Sequence, residues 1–469
     1  MRYIPNTEQD RRRMLEAVGA DSVAELFADV PAALRLARPL RVPPALSEAD
    51  LLRQLRTLAE RNADAERYAC FLGAGCYNHF SPAIVSQLVL RGEYLTSYTP
   101  YQPEISQGTL QALYEYQTLI CQLTGMDVSN ASMYEGASAT AEAILVAQRV
   151  TGRNGTVIAR AVHPEYRQVA RTYTAALGHP VQEAPFGEDG RTDLEGARRL
   201  LGPETACLVV QYPNFFGVVE DLAPLAEAAH AAGALCIVCI AEPVALGLLK
   251  APGDCGADLV AGEGQGLGTG MNYGGPALGF FATREAFVRQ MPGRLVGQTV
   301  DRDGRTGYVL TLATREQHIR REKATSNICT SESLIAIMAT IWLVSMGPRG
   351  LRELALLNLR KAAYAKERLQ QSGAAARFGG PTFNEFVVKP RGTPAAVLQQ
   401  LRRQGIIGGL DLGRFYPELR DGLLVCATEQ NSREEIDRLA AGMAPRQGSG
   451  QTPRRSSSSG RRSAKGGGR

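Results

Sequence analysis

The sequence predicts an α/β protein with a large, mostly parallel sheet and a smaller C-terminal α/β domain. Short apolar runs of a strand's length recur between residues 156 and 282, and segments with helical periodicity separate them. Strands that alternate with helices of this length form a parallel sheet covered by helices on both faces. The 469 residues also exceed the size at which one hydrophobic core keeps growing, so we expect more than one packed unit.

The elements of the large domain follow from the apolar pattern. A helix is expected at 109–123, before the alternating part of the chain begins. Further helices are expected at 138–149 and 222–232. The predicted strands are 156–160, 206–211, 234–240, 258–261 and 278–282.

The pattern of apolar residues changes after residue 330. Two helices are expected at 332–346 and 350–370, followed by a small α/β unit with strands at 383–389 and 422–427 around a helix at 395–404. Residues 1–65 read as helices joined by a proline-rich connection. The predicted organisation is a helical segment, a large α/β domain, a small α/β domain and a disordered basic tail, at residues 1–65, 66–330, 331–444 and 445–469.

The charge of the chain lies mostly in its tail. The last 24 residues carry six Arg, one Lys and no acid, so the net charge of +5 falls to 5 − 7 = −2 without them. A nearly neutral body does not indicate a specific nucleic-acid partner. The tail is low in apolar residues, and we expect it to be disordered.

No feature of the sequence indicates a membrane, an export signal or a metal site. The N-terminus has no apolar core typical of a signal peptide, and the longest apolar stretch, 334–344, is too short to span a bilayer. The nine cysteines lack paired spacing apart from Cys236 and Cys239, which lie inside a strand-like run and are expected in the core. We therefore expect a cytoplasmic protein.

A glycine-rich turn follows the predicted strand 258–261. The whole stretch 258–281 contains no lysine, and the turn offers Glu263 and Gln265 instead. Glycine lets a backbone approach a ligand closely, but an amide side chain cannot form an imine with one. The turn therefore has the form of an active-site turn without its nucleophile.

Other candidate pocket residues come at the ends of predicted strands or the start of a helix. Gly136 and Ser138 open a helix whose free N–H groups suit an anion, although Ser138 could simply cap the helix. Asn214 follows a strand, where it could orient a ligand or cap a turn. His163 also follows a strand and could stack on a flat ligand or be structural.

Two further segments suit contact with a partner. Residues 94–107 are rich in tyrosine, threonine and glutamine, which fits a loop that lines a pocket or meets a partner better than an ordinary surface loop. Residues 320–327 carry several donors and suit an anion or an interface, or form a surface charge cluster. The candidates in these segments are Tyr98, Thr99, Tyr101, Gln102, Glu104, Gln107, Arg321 and Lys323.

Several segments together resemble one enzyme family. FLGAGCYNH, YTPYQPEISQGTLQALYEYQT, YPNFFGVVEDL, AGEGQGLG with NYGGPALGFFA, and RREKATSNICT are similar to the P-protein of the glycine cleavage system, glycine dehydrogenase (decarboxylating). The match runs in order from about residue 1 to 444. It is closest to the separate N-terminal, or alpha, half that many prokaryotes make beside a second subunit.

The resemblance implies a type I pyridoxal-phosphate fold with a pseudo-active site in this chain. The family's Schiff-base lysine would fall near Gln265, and the aspartate that pairs with the pyridine nitrogen would fall where the strand 234–240 runs into Glu242. The resemblance therefore implies that the partner subunit, and not this chain, binds pyridoxal phosphate. The pseudo-cofactor pocket would comprise Gly136, Ser138, His163, Asn214, Glu242 and Gln265.

The resemblance also implies a reaction and partners. With glycine dehydrogenase subunit 2, the beta half, such a chain would decarboxylate glycine and pass the aminomethyl group to the lipoyl arm of the H-protein. Two copies of each subunit would form a heterotetramer, with the loop 98–107 as the best candidate to reach the partner's site.

Two other hypotheses stay open at this stage. The chain could bind its own pyridoxal phosphate and act as an amino-acid lyase through Lys250 or Lys323, among only six lysines. It could also be a scaffold or a nucleic-acid-binding protein that acts through its basic tail.

Overall fold

The computed structural model describes residues 5–36 and 38–444, which divide into two compact units. The first unit ends at Ala63 and the second begins at Asp64. The predicted tail, 445–469, lies outside the described residues. The domain boundary predicted at residue 330 stays a prediction.

The first unit is helical and exposes its apolar side chains. Its helices are Glu8–Val18 and Glu48–Ala59, with short 3-10 turns at Glu25–Phe27 and Ala32–Leu34. None of its described residues is buried. Helix Glu48–Ala59 exposes Leu51, Leu52, Leu55 and Leu58.

The second unit is built on a seven-stranded sheet in the order β1-β7-β6-β5-β4-β2-β3. Strands β2 to β6 are parallel, whereas β7 runs antiparallel to both β6 and β1. The strands are Val128–Ser129 (β1), Gly155–Ala159 (β2), Val181–Ala184 (β3), Thr205–Gln211 (β4), Leu235–Ile240 (β5), Leu259–Glu263 (β6) and Gly279–Thr283 (β7).

The five strands predicted between residues 156 and 282 are confirmed to within two residues. All residues of β4 are buried, as expected for a central strand covered on both faces. The pattern missed β1, which has two residues, and β3, whose edge position leaves its side chains partly exposed. Helices cover the sheet at Gln107–Thr124, Gly136–Thr151, Pro164–Ala175, Leu194–Leu200 and Leu222–Ala231, and shorter ones precede it at Ala83–Val89 and Gly92–Leu95.

The apolar pattern of the sequence also failed to predict an antiparallel hairpin. Strand Leu295–Val300 pairs with Thr306–Thr311 outside the main sheet, and its outer end is exposed. Helix Gln317–Arg320 follows it. Such a partly exposed hairpin lacks the continuous apolar run that identified the central strands.

A long helical segment, Ser333–Gln371, crosses the second unit. Gly347, at φ 60° and ψ 176°, interrupts it, which confirms the two helices predicted on either side. The segment is long and apolar enough to pass a test for a membrane span by length and composition. Its apolar side chains instead face the core, where Trp342 is fully buried, so it is a core helix.

The C-terminal part forms a four-stranded antiparallel sheet. Its strand order is Ala375–Ala376, Glu385–Lys389, Leu423–Cys426 and Leu410–Asp411, with helices Pro394–Arg402 and Arg433–Met443. A short strand, Ala69–Cys70, pairs in parallel with Ile406–Ile407. This pairing holds the chain that follows Cys70 between the four-stranded sheet and the seven-stranded sheet.

A glycine turn joins the two sheets where the backbones come closest. Gly217 lies in a turn with φ 78°. Its carbonyl oxygen accepts a hydrogen bond from Phe383 N at 3.2 Å. A Cβ atom at this position would collide with the carbonyl oxygen of Glu385. Only glycine fits, because both the conformation and the space exclude a side chain.

We expect Gly217→Ala to lower the free energy of unfolding by roughly 2–4 kcal/mol, through backbone strain and overpacking. Urea unfolding followed by the fluorescence of Trp342, the sole tryptophan, measures the change in the second unit. Gly202→Ala is the matched control, since no atom lies within 4 Å of its Cβ position. Equal midpoints for the two variants would contradict the prediction.

Candidate functional site

Three of the six predicted pocket residues bond to one segment of the chain itself. Residues 71–80, which we call the inner loop, lie against the carboxyl end of the large sheet. The inner loop bonds to His163 through Ala74, to Gln265 through Tyr77 and to Glu242 through His79. These bonds bring together three predicted pocket residues from distant positions in the sequence.

Gln265 clamps the backbone of the inner loop. Its Oε1 accepts from Tyr77 N at 2.9 Å, and its Nε2 donates to the carbonyls of Tyr77 and Thr269 at 3.0 and 2.6 Å. A side-chain amide can serve as donor and acceptor at once, whereas a lysine ammonium only donates. The amide of Gln265 is therefore matched to the backbone of the loop that it holds.

Glu242 is bound to a buried histidine. His79 donates from Nε2 to Glu242 and from Nδ1 to Glu429, both at 2.9 Å, and all three side chains are nearly inaccessible. Burial by itself would lower the pKa of His79, but the charges and hydrogen bonds of the two carboxylates outweigh it and raise the pKa to about 10. His79 is thus an imidazolium held between two acids, with Asn384 donating a further bond to Glu242 at 2.6 Å.

The helix start at Gly136 is capped by carboxylates. Ala137 N and Ser138 N donate to the Glu135 carboxylate, and Gly136 N donates to Glu263 at 3.1 Å. These amides are the groups that would bind an anion at a helix start. The helix is therefore capped by Glu135, and the expectation that Ser138 caps it is wrong, since Ser138 donates its N–H to Glu135.

The imidazole ring of His163 contacts and supports the inner loop. Its Nε2 donates to the Ala74 carbonyl at 2.9 Å, and its ring packs against Tyr166 and Phe215 with centroids 4.9 and 4.8 Å apart. A Cβ atom on Gly75 would lie 3.0 Å from Nε2, so the loop backbone lies directly against the imidazole. Burial lowers the pKa of His163. His163 therefore supports the inner loop, and its stacking on a ligand stays a prediction.

Asn214 caps a turn and does not join this group. Its Oδ1 accepts from Phe216 N and Val218 N, and its Nδ2 donates to Glu220 and to the Gly190 carbonyl at 2.8 Å each. Oδ1 therefore caps the turn, while Nδ2 also reaches Gly190, 24 residues earlier in the chain.

The sequence reasoning missed most of the inner loop's partners. Glu385 accepts from Ala74 N at 2.6 Å and from the Tyr77 hydroxyl at 2.8 Å, and burial raises its pKa to about 7. Tyr77, His79, Glu385 and Glu429 were not candidates. The glycine turn in FLGAGCYNH was the one local signal, and the acids lie about 300 residues further along the chain.

The remaining candidates are on the surface. In the loop 98–107, Tyr98 is 80% exposed, Tyr101 accepts from Arg294 at 2.7 Å, and Gln107 bonds to the backbone of Tyr308 in both directions. Thr99 is half-buried, whereas Gln102, Glu104, Arg321, Lys323 and Lys250 are exposed. Within the described ranges, no group of three or more His, Cys, Asp or Glu side chains could hold a metal ion.

Comparisons with known proteins give a consistent result. Residues 1–443 match the family model described as glycine cleavage system P-protein. The chain is 53% identical over 443 residues to a probable glycine dehydrogenase (decarboxylating) subunit 1 of Solibacter usitatus, covering 94% of this chain and 97% of the relative. The relative with the same description in Anaeromyxobacter dehalogenans is also 53% identical, with 94% and 99% covered.

Solved structures agree on the fold. A crystal structure of glycine decarboxylase (P-protein) of the glycine cleavage system, in inhibitor-bound form, is 46% identical with a TM-score of 0.87 and covers 94% of this chain and 99% of that one. A sphingosine-1-phosphate lyase from Burkholderia pseudomallei has a TM-score of 0.61 at 17% identity, covering 88% and 93%. The predicted type I fold of pyridoxal-phosphate enzymes is confirmed.

We expect His79→Gln to destabilise the second unit by about 3–5 kcal/mol near neutral pH, because it leaves two buried carboxylates without their cation. The raised pKa of His79 makes its contribution complete below pH 6.5 and lost as the pH rises toward about 10. Urea unfolding at pH 7 and at pH 10 measures both effects.

The control is His230→Gln, which removes a half-exposed histidine paired with Asp258 at 2.8 Å. We expect it to cost less than about 1 kcal/mol. A difference between wild type and His79→Gln that grows with pH would contradict the assigned charge.

Proposed function

The chain belongs to the glycine cleavage system P-protein family, as one subunit of a glycine dehydrogenase (decarboxylating), and we propose that it supports a partner's site without binding pyridoxal phosphate itself. The observation that carries this proposal is the inner loop, which takes up the groups that a cofactor would need.

The residues present do not fit the cofactor. A covalent anchor needs a lysine, but Gln265 stands there and its amide is used by the inner loop. A ring stacked on His163 would meet the backbone at Gly75. A phosphate at the helix start would face the carboxylates of Glu135 and Glu263.

The self-sufficient lyase has no support in the arrangement of its candidate lysines. Lys250 and Lys323 are exposed, whereas an imine-forming lysine needs a desolvated site that lowers its pKa. Lys361, which is closer to the inner loop, donates to the carbonyls of Glu429 and Asn431. We therefore assign the chemistry to glycine dehydrogenase subunit 2.

The surface of this chain suits a large protein partner. The first unit exposes many large apolar side chains, and an apolar surface of this kind marks an interaction site. The loop 98–107 adds exposed aromatic and polar groups, with Arg321 and Lys323 as further contacts. We propose a heterotetramer in the cytoplasm, with two copies of each subunit and the loop 98–107 directed to the partner's site.

The reaction proposed for the assembled enzyme is the decarboxylation of glycine and the transfer of its aminomethyl group to the lipoyl arm of the H-protein. Pyridoxal phosphate on the partner supplies the electron sink for this chemistry. This chain would position the partner's site and help to exclude water from it. No catalytic residue is assigned to this chain.

We expect the purified chain to carry no cofactor that borohydride can trap, and Gln265→Lys to carry none either. The new ammonium cannot accept from Tyr77 N, and the inner loop would still take up the pocket. Mass spectrometry after borohydride treatment measures trapping, with subunit 2 as the positive control.

The lyase alternative makes the opposite prediction. Trapped cofactor on the wild-type chain, abolished by Lys250→Ala or Lys323→Ala, would establish it and overturn the proposal. Glycine-dependent CO2 exchange by the chain without subunit 2 would do the same.

We expect Tyr98→Ala to lower glycine–CO2 exchange by the assembled enzyme at least tenfold, a loss of about 1.4 kcal/mol in transition-state stabilisation. The side chain is 80% exposed, so the stability of the isolated chain should not change. Leu357→Ala, which removes another exposed side chain, should keep full activity. Full activity of Tyr98→Ala would exclude this residue from the partner's site.

A further inference from the structure

A second pocket lies apart from the inner loop. It has a volume of about 450 Å³ and opens between the helices Gly136–Thr151 and Pro164–Ala175 and the segment 321–328. This volume is in the range of small-molecule sites. The residues that matter for its chemistry are Tyr134, Glu142, Leu145, Tyr173, Leu177 and Ile328.

The floor of the pocket carries a buried carboxylate with a free oxygen. Glu142 is only 2% exposed, and its Oε2 has no hydrogen-bond partner in the described part of the chain. The hydroxyl of Ser326 bonds to the same carboxylate. Arg149, on the same helix, donates to the Gln290 carbonyl at 3.0 Å and leaves Oε2 unpaired.

The unpaired Oε2 is costly, because burial has removed its water and no donor has replaced it. Burial raises the pKa of Glu142, and the bond from Ser326 and the charge of Arg149 offset only part of that rise. Such an oxygen suits a ligand that donates hydrogen bonds and carries positive charge. Neither the inner loop nor the loop 98–107 uses Glu142, whereas Arg321 at the pocket wall is also a proposed partner contact.

The walls restrict the ligand further. The rings of Tyr134 and Tyr173 line the pocket, and aromatic rings attract cations. Tyr134 is fixed in place because its hydroxyl accepts from Cys329 N at 3.0 Å. Leu145, Leu177 and Ile328 add apolar surface, and Arg321 and Glu322 also line the wall.

We propose that this pocket binds a small molecule with a primary ammonium group on an apolar body. The ammonium donates to Oε2 of Glu142, and the apolar body lies against the tyrosine rings and the aliphatic side chains. The site is distinct from the pocket that the inner loop fills, and it holds whether or not the chain supports a partner's catalysis.

Calorimetric titration of the full-length chain with butylamine and phenethylamine tests this site. We expect dissociation constants of about 1 mM or tighter, given the number of atoms in these ligands. The uncharged analogue 1-butanol and the anion butyrate should bind at least tenfold more weakly. Equal binding of butylamine and 1-butanol, or no binding of either amine, would overturn the proposal.

Glu142→Gln keeps the shape of the side chain and removes its charge, and we expect it to weaken amine binding at least tenfold. Glu227→Gln removes an exposed carboxylate from helix Leu222–Ala231 and should leave binding unchanged. Tyr173→Leu gives a second, independent loss through the aromatic wall. Undiminished amine binding in folded Glu142→Gln would overturn the assignment.

The pH dependence gives a further readout. Burial raises the pKa of Glu142, so its carboxylate gains a proton at a higher pH than an exposed glutamate does. Amine affinity should therefore fall as the pH is lowered through that raised pKa, and this response should be absent from Glu142→Gln. Equal pH responses of wild type and variant would count against Glu142 as the ligand's partner.

Discussion

The ion pairs of His79 with Glu242 and Glu429 are the interaction on which the rest of the site depends. They connect the inner loop to the end of β5 and to the C-terminal part of the chain. Three buried charged groups are stable only if their remaining lone pairs are satisfied, because desolvation costs several kcal/mol per ion. Asn384 and Asn358 supply those bonds, at 2.6 Å to Glu242 and 2.8 Å to Glu429. The loop is thereby fixed in one position.

Around the pocket, groups of the protein itself bond to the positions where a ligand could otherwise bind. Strand ends in an open α/β sheet form a crevice whose amides and side chains need partners. In this chain the Gln265 amide, the Glu135 and Glu263 carboxylates and the Ala74 carbonyl provide them. Without these partners, the polar groups of the crevice would stay unpaired. The glutamine in place of a lysine and the inner loop both meet the same requirement, which is that the polar groups of the crevice have hydrogen-bond partners.

The sequence predicted the central strands well because each is a continuous apolar run. It missed β3 and the hairpin Leu295–Val300 with Thr306–Thr311, since partly exposed strands lack that run. It located Gln265 and Glu242 in the pocket, but it could not decide between ligand and structural roles for His163 and Asn214. For His163 that decision depends on Ala74, which is 89 residues away in the chain. No local pattern carries such information.

A filled pocket also changes what the chain can contribute to an enzyme. The inner loop bonds to His163, Glu242 and Gln265 at the strand ends, so these ends are covered rather than open as a cleft that must close on a substrate. A subunit that does not rearrange can position a neighbouring site without losing binding energy to a conformational change of its own. Within the second unit, Tyr98, Tyr101 and Ile105 expose apolar surface, and covering such a surface favours association with another protein. A filled pocket and an exposed apolar loop together support the proposal of a subunit that acts in an assembly.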